Sequence, residues 1–204
     1  NGFKVKVLKS TRQGMLSPET VAQAMDESVA ALMITNPNTL GIFESSIREI
    51  AEILHEKGAL LYLDGANMNA MMGITRPGDA GADVMQFNLH KTFATPHGGG
   101  GPGSGPVGVA AKLEPFLPIP RIRREGETFI LDGDRPLSIG RVRAFLGNVA
   151  VMVRAYAYLR EMGPQGLKRA TQLAVLNANY LRARLADTYS LPYDTATMHE
   201  VVFS

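Results

Sequence analysis

The chain has 204 residues, 45% of them hydrophobic, a formal charge of +2 and no cysteine. One substantial core is affordable at that size, so a single domain is the default; the balanced charge argues against nucleic acid as a partner, and the lack of cysteine excludes disulfides and thiolate metal sites. No apolar run approaches the ~18 residues of a membrane-spanning helix, and no signal-peptide pattern is present, so a soluble cytoplasmic protein is expected.

Ser17-Pro18-Glu19 reads as a helix start, with a serine cap, proline at the first helical position and an acid near the positive end; the helix is predicted to run to about Ser28. A short strand over Ala31 to Thr35 leads into Asn36-Pro37-Asn38-Thr39, where Pro37 keeps Asn36 out of helical geometry and the chain turns. Ile47, Ile50, Ala51 and Leu54 then show helical spacing, and Gly58 ends that helix before an apolar strand over Ala59 to Leu63. A second apolar run, Val84, Met85 and Phe87, precedes Lys91. Strand, helix and strand in alternation imply parallel strands joined by right-handed crossovers, and open sheets of this kind bind ligands beyond the carboxyl ends of their strands. Asn36, Asp64 and Lys91 all fall at or just past such ends.

Seven glycines follow between Gly98 and Gly108, and a strand is predicted to resume over Val107 to Ala111. Their backbone can approach a phosphate or a neighbouring chain closely; neither dinucleotide nor P-loop spacing is satisfied, and a flexible linker is the plain alternative. Arg121, Arg123 and Arg124 form a short basic cluster, read as a solvated loop or a subunit contact. From Gly140 the apolar residues Val142, Phe145, Leu146, Val149, Met152, Val153, Tyr156 and Leu159 recur at helical spacing, predicting a packed face. Gly163-Pro164 breaks the run, and a second helix is expected over Gln165 to Asp187, with Leu167, Leu173, Leu176, Tyr180, Leu181 and Leu185 as its stripe and the tyrosines and methionines as packing residues. No cluster of His, Asp or Glu has metal spacing, so no metal is expected. A chain that begins at Asn1 and stops within the apolar run Val201 to Ser204 reads as part of something longer.

Asp64 and Lys91 carry the chemical interest. A lysine forms a Schiff base with an aldehyde only when its amine is unprotonated and held against the carbonyl carbon. An aspartate beside a pyridine nitrogen keeps that nitrogen protonated, so the ring can accept electrons from a bond breaking at a substrate's α-carbon. Two adjacent strands deliver both groups to one sheet edge, and together they suit a pyridoxal-phosphate enzyme. Taken singly, Asp64 reads first as a turn residue before Gly65 and Lys91 as a solvated surface lysine; it is their combination with the glycine loop that favours the functional reading. Strand alternation would point His90 and Lys91 in opposite directions, leaving His90 open as a structural histidine. Asn36, Asn38 and Thr39 read as turn residues able to hydrogen-bond a ligand, with the turn role favoured.

The blocks TNPNTLGIFE (Thr35 to Glu44), YLDGANMNA (Tyr62 to Ala70), NLHKTF (Asn88 to Phe93), PHGGGGPGSGPVGV (Pro96 to Val109), RPLSIGRVRAFLGN (Arg135 to Asn148) and AVLNANYLRARL (Ala174 to Leu185), in this order, resemble the glycine decarboxylase, or P-protein, of the glycine cleavage system, in the form of the second subunit of the bacterial two-subunit enzyme. The resemblance implies a type I, aspartate aminotransferase-like α/β fold with a mostly parallel sheet. Residues 1–195 would be the later part of the cofactor-binding large domain and 196–204 the start of a small C-terminal domain, with Val201 to Ser204 its first strand. It implies pyridoxal 5'-phosphate held by Lys91 and supported by Asp64, with Ala66 against one ring face, and Asn88 and His90 toward the phosphate. Thr92 and Thr95 are weaker candidates, and His97, which introduces the glycine loop, is a candidate contact to substrate or the partner subunit. It further implies decarboxylation of glycine and transfer of the aminomethyl group to the lipoyl arm of H-protein, in a heterotetramer with subunit 1. The 204 residues alone are expected to be inactive, because the main phosphate loop and the residue covering the opposite ring face would lie outside them. Two readings stay open beside it: another enzyme of the same fold, such as a cysteine desulfurase or amino-acid decarboxylase, and a non-catalytic partner subunit, against which Lys91 itself argues.

Overall fold

A computed structural model of the chain describes residues 2–144 and 146–204. Helix α1 (Pro18–Ala24) starts as predicted: Ser17 is extended, and its hydroxyl accepts from the Thr20 N–H at 3.2 Å. It ends earlier than Ser28, because Asp26 turns the chain by accepting from the Ser28 N–H at 2.8 Å, a local bond that competes with helix continuation. Strand β1 (Ala31–Thr35), helix α2 (Ile47–Glu56) and strand β2 (Leu60–Gly65) follow the predicted alternation. The four apolar residues at helical spacing, Ile47, Ile50, Ala51 and Leu54, are all buried. With Val21, Ala59 and Leu61 they form the main core beneath the sheet.

Strand β3 (Val84–Phe87) pairs parallel with β2, which pairs parallel with β1. A four-residue helix, α3 (Leu89–Thr92), follows β3 directly, and strand β4 (Val107–Val109) returns antiparallel along β3. The sheet order is β1-β2-β3-β4. Gly65 ends β2 where the neighbouring strand comes closest: a Cβ there would stand 2.1 Å from the Gln86 carbonyl oxygen, so no side chain fits.

At the opposite end of the strands, Asp83 is a buried hub. Its carboxylate accepts from the Leu61 N–H at 2.8 Å, meets His55 Nε2 at 2.8 Å and pairs with Lys112 Nζ at 2.6 Å. Burial alone would raise its pKa, but the Lys112 ammonium, the Leu61 amide and His55 together bring it below the usual aspartate value.

The Arg121 cluster is a strand rather than a loop. Strands β5 (Arg121–Glu125) and β6 (Thr128–Asp132) form an antiparallel hairpin closed by Gly126-Glu127, a two-residue loop with glycine first. Arg121 and Arg135 both pair with Glu114, which anchors the hairpin base.

The last helix, α4 (Val149–Leu185), begins later than Gly140 and breaks where expected, Gly163 standing at φ 60°, ψ 178°. Its buried face also differs from the predicted stripe. Val151, Ala155, Thr171 and Ala178 are buried, whereas Val149, Val153, Tyr156, Leu176 and Tyr180 are each more than half exposed. Small residues face inward because the helix lies close to backbone: Thr171 Oγ1 donates to the Asn69 carbonyl at 2.8 Å. Phe145, counted in the predicted stripe, lies outside the described residues. Residues 201–204 form no strand; Ser190 and Ser204 exchange backbone hydrogen bonds at 3.0 and 3.1 Å.

Candidate active site

The register of the parallel strands builds the site. Thr35 lies opposite Asp64 and Asp64 opposite Gln86, so three polar side chains line up across β1, β2 and β3 on one face. Asp64 accepts from Thr35 Oγ1 at 3.1 Å and from the Ala66 N–H at 2.9 Å, and the Gln86 amide donates to the same oxygen as Ala66. A carboxylate is acceptor-only, and these donors fix its rotamer at the carboxyl edge of the sheet. Above it on β2, Tyr62 has its pKa raised by burial and by the charge of Asp64. Ala66, 8% exposed, follows immediately and keeps the strand end narrow.

Thr35 and Gln86 escaped the sequence reading. Their only signal there is a polar residue interrupting an apolar strand, as in VMQF, and its meaning depends on register.

Lys91 lies past the carboxyl end of β3, in α3, with an exposed side chain. The helical turn corrects the expectation of strand alternation: successive residues on a helix diverge by about 100° rather than pointing oppositely. His90 therefore turns inward beside Lys91. Its ring meets His97 edge-on, centroids 4.6 Å apart, and its Nδ1 is buried with no partner. Loss of solvent, then the nearby His97 and Lys91, lower the His90 pKa. The hydroxyls of Thr92 and Thr95 are likewise buried and unpaired. Asn88 caps α3 without a side-chain cap bond.

The far end of the glycine loop is tied down. The Phe87 N–H donates to Pro106 O at 2.9 Å, the Leu89 N–H to Ser104 O at 3.3 Å, and Asn148 Nδ2 to Gly103 O at 2.9 Å. Gly98, Gly99 and Gly100 all have positive φ.

Not every candidate joins the site. Asn36 Oδ1 accepts the Glu44 N–H at 3.0 Å, and Asn38 Oδ1 accepts the N–H groups of Leu40 and Ile42 at 3.0 and 3.2 Å. Those side chains build the turn, in agreement with the turn reading. Glu44 is buried beneath it, and desolvation raises its pKa. His55 belongs to the Asp83 hub at the other sheet end. A cavity of about 650 Å³ bounded by Leu61, Leu63, Met71 and Ile74 opens on the face of β2 opposite Asp64, and neither Asp64 nor Lys91 lines it. Among the described residues no group of three His, Asp or Glu could hold a metal ion, and no helix is long and apolar enough to cross a membrane.

The aminotransferase class-V family model matches residues 1–101, which include β1 to β3, Asp64 and Lys91. A probable glycine dehydrogenase (decarboxylating) subunit 2 from Prosthecochloris aestuarii is 55% identical over 100% of this chain and 42% of its own length. The proteins of the same name from Caldanaerobacter subterraneus subsp. tengcongensis and Fervidobacterium nodosum are 56% and 57% identical, over 100% and 98% of this chain and 42% of each relative. Over essentially its whole length the chain is similar to proteins named glycine dehydrogenase (decarboxylating) subunit 2. It spans less than half the length of these relatives.

Solved structures agree on the fold. The apo cysteine desulfurase from Thermococcus onnurineus NA1 superposes with a TM-score of 0.70 at 18% identity, over 100% of this chain and 50% of that one. The pyridoxamine-pyruvate aminotransferase from Mesorhizobium loti gives 0.60 at 19% identity, over 91% and 47%. The architecture is thus that of the type I pyridoxal-phosphate transferases.

The residues present fit that cofactor. A carboxylate held by three donors stands at the carboxyl edge of the sheet, chemically able to keep a pyridine nitrogen protonated, and a lysine follows the adjacent strand. Buried but unpaired atoms at His90, Thr92 and Thr95 offer polar partners of the kind a phosphate takes.

Proposed function

We propose that this chain carries the lysine and aspartate of a pyridoxal-phosphate site that decarboxylates glycine. The observation that carries the reading is the pairing of β2 with β3: adjacent parallel strands bring Asp64 and the Lys91 turn to one sheet edge, with Gln86 and Thr35 gripping the carboxylate. When bound, pyridoxal phosphate supplies an electron sink for a bond breaking at the α-carbon of an amino acid.

Lys91 would bind the cofactor covalently through its amine, and Asp64 would hold a proton at the ring nitrogen. Thr35, Gln86 and the Ala66 N–H keep that carboxylate from rotating away. Ala66, small and buried, leaves room for a flat ring over the strand end. Asn88 and His90 would hold the phosphate. The lowered His90 pKa favours a neutral imidazole, whose second nitrogen can accept or donate according to tautomer.

The names of the relatives support glycine as substrate and a second subunit as partner. The complete reaction we propose is loss of carbon dioxide from glycine, with the aminomethyl group passing to the lipoyl disulfide of H-protein, which is reduced as it accepts it. The setting would be a cytoplasmic heterotetramer with subunit 1.

The test uses the full-length protein with its partner subunit. Borohydride reduction of the loaded enzyme and peptide mapping should place a pyridoxyl group on Lys91. Label on Lys57 or Lys112 instead would refute the assignment. Lys91→Arg, which keeps the charge but cannot form the linkage, should abolish glycine-dependent release of carbon dioxide while folding persists.

A further inference from the structure

The start of α4 grips the segment that leaves Lys91. Arg154 Nε donates to the Ala94 carbonyl at 2.9 Å. Asn148 Nδ2 donates to Gly103 O at 2.9 Å and approaches Gly101 O at 3.4 Å. Between them, Val151 and Ala155 are buried against Leu89, with Phe93 packed on the same cluster. Asn148, Val151 and Ala155 fall at spacings of three and four, so one helix face carries the packing and the donor at its start, with Arg154 beside it.

Ala94 is the reason such a grip matters. Its φ is 54°, a left-handed conformation in which a Cβ crowds the backbone and which persists only where the surroundings enforce it. This turn redirects the chain from α3 to buried Thr95 and then into the glycine loop, and the Arg154 bond holds its carbonyl in place. The first turns of α4 thus set the direction of the backbone on both sides of the loop.

We infer that Arg154 and Asn148 are positioning residues for the cofactor site: by fixing the Ala94 turn and the far end of the glycine loop, they hold Lys91 and the loop in the geometry that receives pyridoxal phosphate. The inference rests on the reading of Lys91 as the cofactor lysine.

Full-length protein with its partner is compared as parent, R154A, N148A, A94G and R154A/A94G. Alanine is the best helix former and Arg154 is exposed, so R154A retains α4. R154A should raise amide hydrogen exchange across residues 94–101 in the cofactor-free protein, weaken pyridoxal phosphate about five- to tenfold, as the loss of one solvent-exposed hydrogen bond of ordinary strength predicts, and move the pH at which the visible band of the lysine-bound cofactor titrates. N148A should raise exchange across residues 101–104 and weaken the cofactor in the same way. Glycine adopts a positive φ without a Cβ penalty, so R154A/A94G should return to within about twofold of the parent. That rescue is not expected if Arg154 merely stabilises α4.

Parent-like exchange and an unmoved band in R154A, or a double variant no better than R154A, overturn the inference. Should R154A fail to fold, the double variant must still fold and bind as the parent does, and its failure also overturns it. Borohydride labelling of Lys91 in the parent separates the two levels: label elsewhere defeats the cofactor-lysine reading and this inference together, whereas label on Lys91 with no effect of R154A defeats the inference alone.

Discussion

Replacing Asp64 by asparagine separates the charge of this side chain from its shape. One carboxylate oxygen accepts from both the Ala66 N–H and Gln86, and the other accepts from the Thr35 hydroxyl. An asparagine placed with its carbonyl oxygen at the first position keeps both of those donors. Its NH₂ then faces Thr35, whose hydroxyl can rotate from donor to acceptor. All the local bonds survive in neutral form, so the structural cost should stay near the ~0.5–1.5 kcal/mol of one ordinary hydrogen bond. What disappears is the negative charge proposed to face the ring nitrogen. Losing one preorganised electrostatic partner of a reacting group costs about 2.7–4 kcal/mol, roughly a hundred- to thousandfold in kcat. The assay is glycine-dependent carbon dioxide release by the full-length enzyme with its partner, alongside thermal unfolding and cofactor titration of the same preparations. Asp64→Asn should bind cofactor and unfold within a few degrees of the parent, yet turn over at about one hundredth of its rate or less. Turnover within about threefold of the parent, with cofactor fully bound, would refute the role given to the Asp64 charge.

Gln86→Leu removes one donor from Asp64 while keeping an extended side chain, and should lower kcat about tenfold with little change in stability; unchanged kcat would show that Thr35 and the Ala66 N–H suffice to hold the carboxylate. Asp83→Ala strands the buried Leu61 N–H and removes the partner of His55 and Lys112, so urea titration should show a loss of about 2–4 kcal/mol, most of it from the amide because Lys112 is 54% exposed and screened. The pH dependence has a definite sign: the folded pKa of Asp83 lies below its unfolded value of about 3.9, so its contribution is complete above that value and lost as pH falls through the folded pKa. Parent and Asp83→Asn should therefore differ more at pH 6 than at pH 2.5, and a constant difference would count against the hub. His90 titrates low, so the unfolded chain takes up a proton near pH 6.5 that the folded ring resists. Stability should fall from pH 7 to pH 5.5, and His90→Gln should reduce that slope without abolishing it, because burial lowers the His199 pKa as well.

Local chemistry made a large share of the molecule legible before any coordinates. The Ser17 cap, the spacing of Ile47, Ile50, Ala51 and Leu54, the turn at Asn36 to Thr39 and the break at Gly163 depend on residues within a few positions of one another, and each stands where its local pattern implies. Alternation of strand and helix was enough to bring Asp64 and Lys91 to one edge, since parallel strands can be joined in few ways. Register was a different matter. Whether Gln86 and Thr35 face Asp64, or sit one residue off and point away, depends on how three strands align, and no short-range pattern encodes that. The same holds for α4: its large apolar residues suggested the buried face, but close approach to the Met68–Ala70 turn and to α3 selected Val151, Ala155 and Thr171 instead. Tertiary structure also converted the residues after β3 from continuing strand to a helical turn, which brings His90 inward beside Lys91. Sequence by itself determined which elements form and at which edge the chemistry gathers, because caps, turns and periodicity act over one or two turns of chain; the cross-strand partners of Asp64 and the grip of α4 on the Lys91 segment were decided only by packing, because they join residues from 22 to 60 positions apart.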